Sequence, residues 1–523
     1  MENVTEPESY EWLRGVETPL LWRPANLEAP LAVYDHLLSQ EKRLASRHKE
    51  FTFTHFVVKL LLGCELFVTE NNGTAALLEL DRLEHELNRL DIVSHNIFYK
   101  EVRRAQWHVT LASRAFLLAR LGKLEDSKQI VGDNFDPVST FTNIEFGGLY
   151  GIKSLAYLEY GEPLEALRWA KDAIHVNPRE PEWHLLAGRA MESLRKKSTR
   201  FSGLPKEEIN YFKKAVDLSD RTNYALYLAR IYEQAIRATV QHYAHDTTFK
   251  SSPLYQEIGN LTRTTVELYR KILESHKNCS ETQIRCLNGM LKLPRQYLNE
   301  DEMKTIIDKI SKEPNKSKKF YGVAASFYLK IERSNRKALT FFEKGSDHGD
   351  HRCAMNALRL RVKMRQDFDV EGSLLYLVKR AEDDPVYHED ALVHLGSFYL
   401  FRQRNLADAM NTFLPVIERN PTSHFMSNHM PMFLRTIQPM NLFSILLNEL
   451  RVAEVEPGIT PLHSLVKLKF MRILKKYHKP LTQKNVDIHL IDKLFRASDS
   501  LDPNHRRLLK KRRMRLRNTS FVH

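Results

Sequence analysis

The sequence predicts an all-α protein built as a tetratricopeptide-repeat superhelix, an α-solenoid whose ends are capped by helices without the repeat consensus. Three observations carry this. Tyr157, Gly161, Ala166, Ala170, Ala173 and Pro178 fall at the spacing of a two-helix unit of about 34 residues. Ala409, Phe413, Val416 and Pro421 then repeat the intervals of Ala166, Ala170, Ala173 and Pro178, far along the chain. Finally, 19 Gly and 21 Pro among 523 residues, with no run of alternating β-branched residues, leave little room for strands. A hydrophobic fraction of 42% with 26 Phe and 20 Tyr suffices for a packed core and excludes global disorder.

Each position of the 150–220 stretch has a physical task. Tyr157 packs the first helix on the second, Gly161 permits the sharp turn between them, and the three alanines let two helices approach closely. Pro178 stops the second helix, because it lacks an amide donor and clashes with the preceding turn. The unit restarts at Trp183, Ala187 and Gly188, and Phe212 with Ala215 mark its second helix. Residues 196–203 read as an inserted loop, which costs little closure entropy.

In chain order, residues 1–50 hold Pro7, Pro19, Pro24 and Pro30 and read as an irregular N-terminal arm with a short helix near 31–46. Helical periodicity begins at 53–69, and Leu77, Leu80, Leu83, Leu87 and Leu90 make one apolar stripe after the Asn71-Asn72-Gly73 turn. Residues 51–94 are therefore an N-terminal helical cap. The repeat array is expected over 95–421: a degenerate unit at 95–131, the two units of 150–220, and an oversized unit of helices near 225–237 and 255–276. Helices at 286–293 and 301–312 follow, then units carrying Ala325, Phe327, Ala338, Phe342 and Gly345, then 351–363 with 374–384, then Leu392 to Pro421. Apolar faces at 442–454, 462–477 and 486–500 form a C-terminal helical cap within 422–503. Residues 504–523 are a basic tail.

Charge and cysteine content narrow the functional classes. The formal charge is +14, of which eight units belong to Arg506, Arg507, Lys510, Lys511, Arg512, Arg513, Arg515 and Arg517, leaving the body at +6. The tail alone would attract polyanions, and it admits three readings: RNA contact, nuclear import, or a solvated final helix. Cys64, Cys279, Cys286 and Cys353 have no ligand spacing and read as core thiols of a reducing compartment. The acidic first residues lack a secretory pattern, so a cytoplasmic location is expected. The longest apolar stretch, 56–63, is too short to span a bilayer, so no membrane partner is expected.

No phosphate-binding glycine loop, nucleophile elbow or paired-cysteine zinc spacing is present, so the chain reads as a non-enzyme without cofactor or metal. Asp347-His348-Gly349-Asp350-His351 has metal-ligand residue types but lies at a repeat junction, where polar turns are expected. His424 and His429 read as turn or packing residues.

In a solenoid of this kind the first helix of each unit lines the concave side. The register then directs Arg189, Arg230, Phe320, Phe327, Lys330, Arg352, Arg359 and Lys363 inward, with Leu155, Leu185, Val393, Leu400 and Phe401, and with Glu159, Glu192 and Glu233 among them. Planar guanidinium groups suit phosphate or carboxylate, and exposed rings stack on bases. The groove thus admits single-stranded RNA or a peptide segment of another protein. The bland alternative is that the arginines only pair with nearby glutamates. Oligomeric state is left open.

Asn177-Pro178-Arg179-Glu180-Pro181-Glu182-Trp183 resembles the Asn-Pro-x-x-Pro-Glu-aromatic junction of the interferon-induced proteins with tetratricopeptide repeats. The resemblance continues through the insertion, through Lys213-Lys214-Ala215-Val216-Asp217-Leu218, and into the helix after Asn223-Tyr224. It implies an antiviral scaffold whose basic tunnel takes the 5′ end of single-stranded RNA. Where RNA-end-binding members carry a tryptophan and, four positions later, a lysine, this chain has Leu155 and Glu159. Ser193 stands where the family has an arginine on the next first helix.

Overall fold

A computed structural model describes residues 10–25, 27, 30–45, 51–93, 97–133, 135–197, 206–244, 246–314, 316–432, 439–453 and 464–478. The expected 486–500 helix, the basic tail and most of the 196–203 insertion lie outside them. Among the described residues the secondary structure is helical, and a single antiparallel bridge, His429 with Met440, stands in place of any strand. The chain forms two compact units, Met1–Glu28 with Leu37–Gly345, and Ala29–His36 with Ser346–His523.

The first unit is a series of helical hairpins. Phe53–Val68 pairs with Gly73–Val93, Ile97–Arg120 with Leu124–Asp133, and Asn143–Glu159 with Pro163–Val176. Pro181–Lys197 follows with Lys206–Leu218, and Thr222–His242 with the long Pro253–Ser275. Ser280–Met290, Glu300–Ser311 and Lys318–Lys330 complete it, with Phe341 of Asn335–Asp347 stacked on Tyr328.

Local sequence sets the ends of these helices. Thr142 and Glu145 form a capping box, satisfying two amide donors that the first turn would otherwise leave open. Pro163 opens its helix at a position that needs no amide hydrogen. Gly161 takes φ +76°, the left-handed conformation that closes the first helix and reverses the chain. Ala166, Ala170 and Ala173 are buried along one face of Pro163–Val176, as the repeat spacing requires. Gly188 lies so close to the Phe212 ring that a methyl group there would sit 2.7 Å from a ring carbon.

Residues 10–23, within the stretch read as an arm, are anchored to this unit. Leu13, Val16, Leu20 and Trp22 are buried, and the single turn Pro19–Trp22 packs on the helices Phe53–Val68, Ile97–Arg120 and Asn143–Glu159.

The second unit repeats the hairpin plan with His351–Lys363 against Val370–Arg380 and Pro385–Phe398 against Leu406–Arg419. The turn 399–403 is a π-helix closed by Arg404 at φ 61°. Leu442–Ala453 and Ser464–Tyr477 share a core with Phe413, Phe443 and Phe470. Asp35 of the short N-terminal piece accepts a bidentate ion pair from Arg419.

Candidate binding groove

In the first unit, the first helices of successive hairpins carry a ladder of opposite charges. Glu159, Glu192 and Glu233 recur at equivalent places, and each meets a base from elsewhere in the stack. Arg189 Nη2 lies 3.7 Å from Glu159 Oε1. Arg230 Nη2 lies 2.7 Å from Glu192 Oε2, and Lys196 Nζ lies 2.6 Å from its other oxygen. Gln234 donates to Glu192 as well, and Arg195 forks onto Glu208 while also reaching Gln234. Burial alone would raise the Glu192 carboxyl; Arg230, Lys196 and Gln234 outweigh it and hold the pKa at about 2. Arg230 is also stacked over Tyr227, 4.7 Å from the ring centre.

This ladder makes Arg189 and Arg230 partners of Glu159 and Glu192. Of the two sequence readings, phosphate-binding cations or partners of nearby glutamates, these two arginines take the second, and the pairs join neighbouring hairpins. Such part-buried pairs fix hairpin against hairpin, and each carboxylate cancels a positive charge that a polyanion would meet.

At Glu233 the balance changes. This carboxylate is buried, and three cations converge on it: Lys292 Nζ at 3.2 Å, Arg237 Nη1 at 3.7 Å, and Lys330 close enough to feel its charge. Lys330 Nζ donates to the Leu291 carbonyl, 3.2 Å away. Desolvation first, then the charges of Lys292 and Arg237, hold the Lys330 ammonium below its ordinary pKa. Two of the three positive charges are therefore uncompensated, and the group joins the interior of Thr222–His242 to the C-terminal ends of Ser280–Met290 and Lys318–Lys330.

Several sequence expectations are corrected. Phe320 and Phe327, expected as exposed groove aromatics, are each 1% exposed; Phe320 packs edge-on to Phe341. Leu155, Leu185, Val393, Leu400 and Phe401 are buried too. A first helix in a stack touches its own second helix and the neighbouring hairpins, so positions that a one-face register assigns to the groove are covered. Arg359 is drawn into the interior of the second unit, where it donates to His394 Nε2 at 3.0 Å. Arg352 and Lys363 stand exposed on the same helix. The tail residues Arg506 to Arg517 lie outside the described residues.

The junction at 347–351 is a turn and helix cap. Asp350 accepts from the Cys353 amide, and His351 pairs with Asp390 at 2.9 Å while stacking on Tyr387. His429 donates to or accepts from Ser397 inside the protein. Among the described residues no group of three His, Cys, Asp or Glu could hold a metal ion, and no helix is long and apolar enough to cross a membrane.

Sequence reasoning missed Arg237 and Lys292. Arg237 was legible as the i+4 neighbour of Glu233. Lys292 follows a helix without the repeat consensus, so no register could point it anywhere.

The helix hairpins define the class: an all-α solenoid of the tetratricopeptide type. Among solved structures, the chain is similar to the human IFIT1 dimer with PPP-AAAA, at 14% identity over 90% of this chain and 98% of that one, TM-score 0.39. The human IFIT1 dimer with m7Gppp-AAAA gives 14% identity, 90% and 99% coverage, and TM-score 0.36. Yeast Tom70 gives 13% identity, 86% and 96% coverage, and TM-score 0.33. No family model matches the chain, and no curated protein matches it in sequence.

Proposed function

We propose that this protein is a non-enzymatic scaffold that binds single-stranded RNA through the cation cluster of Arg237, Lys292 and Lys330. The observation that supports this is the convergence of three cations on one buried carboxylate, in a unit where Arg189 and Arg230 each face a glutamate of the neighbouring hairpin. Desolvation, and then repulsion from Lys292 and Arg237, holds Lys330 below its ordinary range, and a phosphate placed there would offset the repulsion. A base could stack on an arginine or an accessible ring of the groove, although not on Phe320 or Phe327. The antiviral effector role implied by the junction sequence, and a cytoplasmic location with nuclear import through residues 506–517, belong to the same proposal; localisation of fluorescent fusions with and without the tail tests the latter.

The test is binding of one short RNA, prepared with a 5′-triphosphate and with a 5′-hydroxyl, across a salt series. Each phosphate contact to a single strand contributes a slope of about −0.7 in log K against log salt. Lys292→Glu with Lys330→Glu is expected to flatten the slope by about 1.4 and to weaken binding at low salt. Binding that ignores both substitutions and disappears on truncation after Pro503 assigns the affinity to the tail and overturns the groove site.

A second reading, a protein-interaction adaptor, is favoured by a separate observation: the first unit already holds an extended segment, residues 10–23, against four of its helices.

A further inference from the structure

The way residues 10–23 are held differs from ordinary core packing. The segment contains one 3₁₀ turn, Glu11–Leu13, and one helical turn, Pro19–Trp22, and a row of specific side-chain contacts fixes it along its length. Trp12 Nε1 donates to Ser127 Oγ at 3.1 Å. The Glu17 amide donates to His108 Nε2 at 3.2 Å. Thr18 and Ser113 share a hydroxyl hydrogen bond of 2.7 Å, while Thr18 also caps the Pro19–Trp22 turn.

The two ends carry opposite charges, and each finds a buried partner. Lys153 is 5% exposed. Its ammonium lies over the rings of Trp169 and Trp22, 4.3 and 5.0 Å from their centres, and 2.9 Å from Glu17 Oε2. Trp22 Nε1 donates to that same oxygen at 2.6 Å. Arg23 forks onto Glu65, which is fully buried, with Nε–Oε1 at 2.8 Å and Nη2–Oε2 at 3.1 Å. Without the segment, Lys153 and Glu65 would lose these counter-charges and the side chains that cover them.

Two buried charges of opposite sign, a hydroxyl and an imidazole spaced to meet an extended chain are the features of a recognition surface. We propose that the helices Phe53–Val68, Ile97–Arg120 and Asn143–Glu159 form a peptide-binding cradle, and that Val16-Glu17-Thr18-Pro19-Leu20-Leu21-Trp22-Arg23 is its ligand in cis. The cradle reads an acid, then Thr-Pro, then an aliphatic residue, with an aromatic and a base at the end. Lys153 with Trp169 reads the acid, Ser113 the threonine, and Glu65 the terminal base. A protein partner that presents the same groups in the same order competes with the chain's own segment. This deepens the adaptor reading and does not involve the Arg237, Lys292 and Lys330 cluster.

A segment tethered to its own site has an effective concentration in the millimolar range, so an added peptide should barely enter the native chain. The test uses the full chain and a fluorescent synthetic peptide spanning residues 8–25. In a loosened variant, Glu17→Ala with Thr18→Ala and Arg23→Ala, the cis segment loses its charged and threonine side-chain contacts, keeping those of Trp12 and of the backbone amide at position 17, while the cradle keeps its own groups. The peptide should bind this variant at least about 100-fold more tightly than wild type. Adding Lys153→Met to the loosened chain should reduce that binding at least about tenfold, the loss expected for a desolvated charge contact. Should the loosened chain unfold, refolding on addition of the peptide supports the cradle, and failure to refold overturns it. Equal binding to wild type and loosened chains, or no binding to a folded loosened chain, also overturns it. Those results remove the observation on which the adaptor reading rests and leave the RNA-binding reading of the Arg237, Lys292 and Lys330 cluster untouched, because that cluster lies on a different surface.

Discussion

Replacing Gly188 by alanine sets two effects of known size against each other. In a helix interior alanine is favoured over glycine by about 1 kcal/mol. The new methyl would lie 2.7, 2.8 and 3.0 Å from three ring carbons of Phe212. Relieving that contact requires the ring to retreat by about 1 Å from a position that is 1% exposed and packed with Ile209, Leu185 and Tyr224. Overpacking of this kind costs typically about 1–3 kcal/mol. The net expectation is a loss of up to about 2 kcal/mol. All five tryptophans lie between residues 12 and 183, so intrinsic fluorescence during urea unfolding reports on the first unit alone. Phe212→Leu, added to Gly188→Ala, should recover part of the loss, because a smaller side chain frees the space; the double-mutant cycle should show favourable coupling. Gly132→Ala is the control, since nothing lies within 4 Å of its added methyl, and it should be neutral or slightly stabilising. An unfolding midpoint for Gly188→Ala at or above that of wild type would refute the reasoning.

Other perturbations address the remaining charge networks. Arg23→Ala leaves Glu65 buried without its partner and should cost about 3 kcal/mol or more, whereas Arg23→Met with Glu65→Met should be far milder, as read by the same fluorescence. Burial, and then Arg359, push His429 down to about 3, and burial, then His429 and Arg359, hold His394 well below its usual value. Unfolding therefore takes up protons, and stability of the second unit should be complete above about pH 6.5 and fall as pH drops below it. Hydrogen exchange in Pro385–Phe398, corrected for intrinsic rates, checks this: equal protection at pH 5 and pH 7.5 would contradict it. The Glu192 carboxyl, held at about 2, contributes stability above the ordinary glutamate range that should be lost as pH falls from about 4.5 towards 2. Glu192→Gln should remove that acid-limb component from the first unit's pH-stability profile, measured by tryptophan fluorescence.

The repeat architecture was legible because its determinants are local. A glycine at a turn, a proline behind a helix and alanines three and four residues apart act within one hairpin, so Gly161, Pro178 and Ala166 to Ala173 could be read in one dimension. The C-terminal ends of Asn143–Glu159, Pro163–Val176 and Leu406–Arg419 follow from such signals, whereas the first of these helices begins seven residues before the expected position 150. The oversized unit was legible too, as Thr222–His242 and Pro253–Ser275.

What only the tertiary structure decided is which charges are already spent. Glu159 and Arg189, or Glu192 and Arg230, are 30 and 38 positions apart and meet because one hairpin stacks on the next. Spacing along a helix shows i+4 partners such as Glu233 and Arg237, but not partners across a stack. The same limit hid the burial of Phe320 and Phe327, which depends on neighbours from several helices at once. Glu17 and Arg23, read only as part of an arm, gained their meaning from Lys153 and Glu65, brought to them by folding across 136 and 42 positions of chain. Sequence alone determined the units and their turns, because those are short-range steric facts. The disposition of charge in the groove and the cradle is a long-range fact, set when the hairpins pack and water is excluded between them.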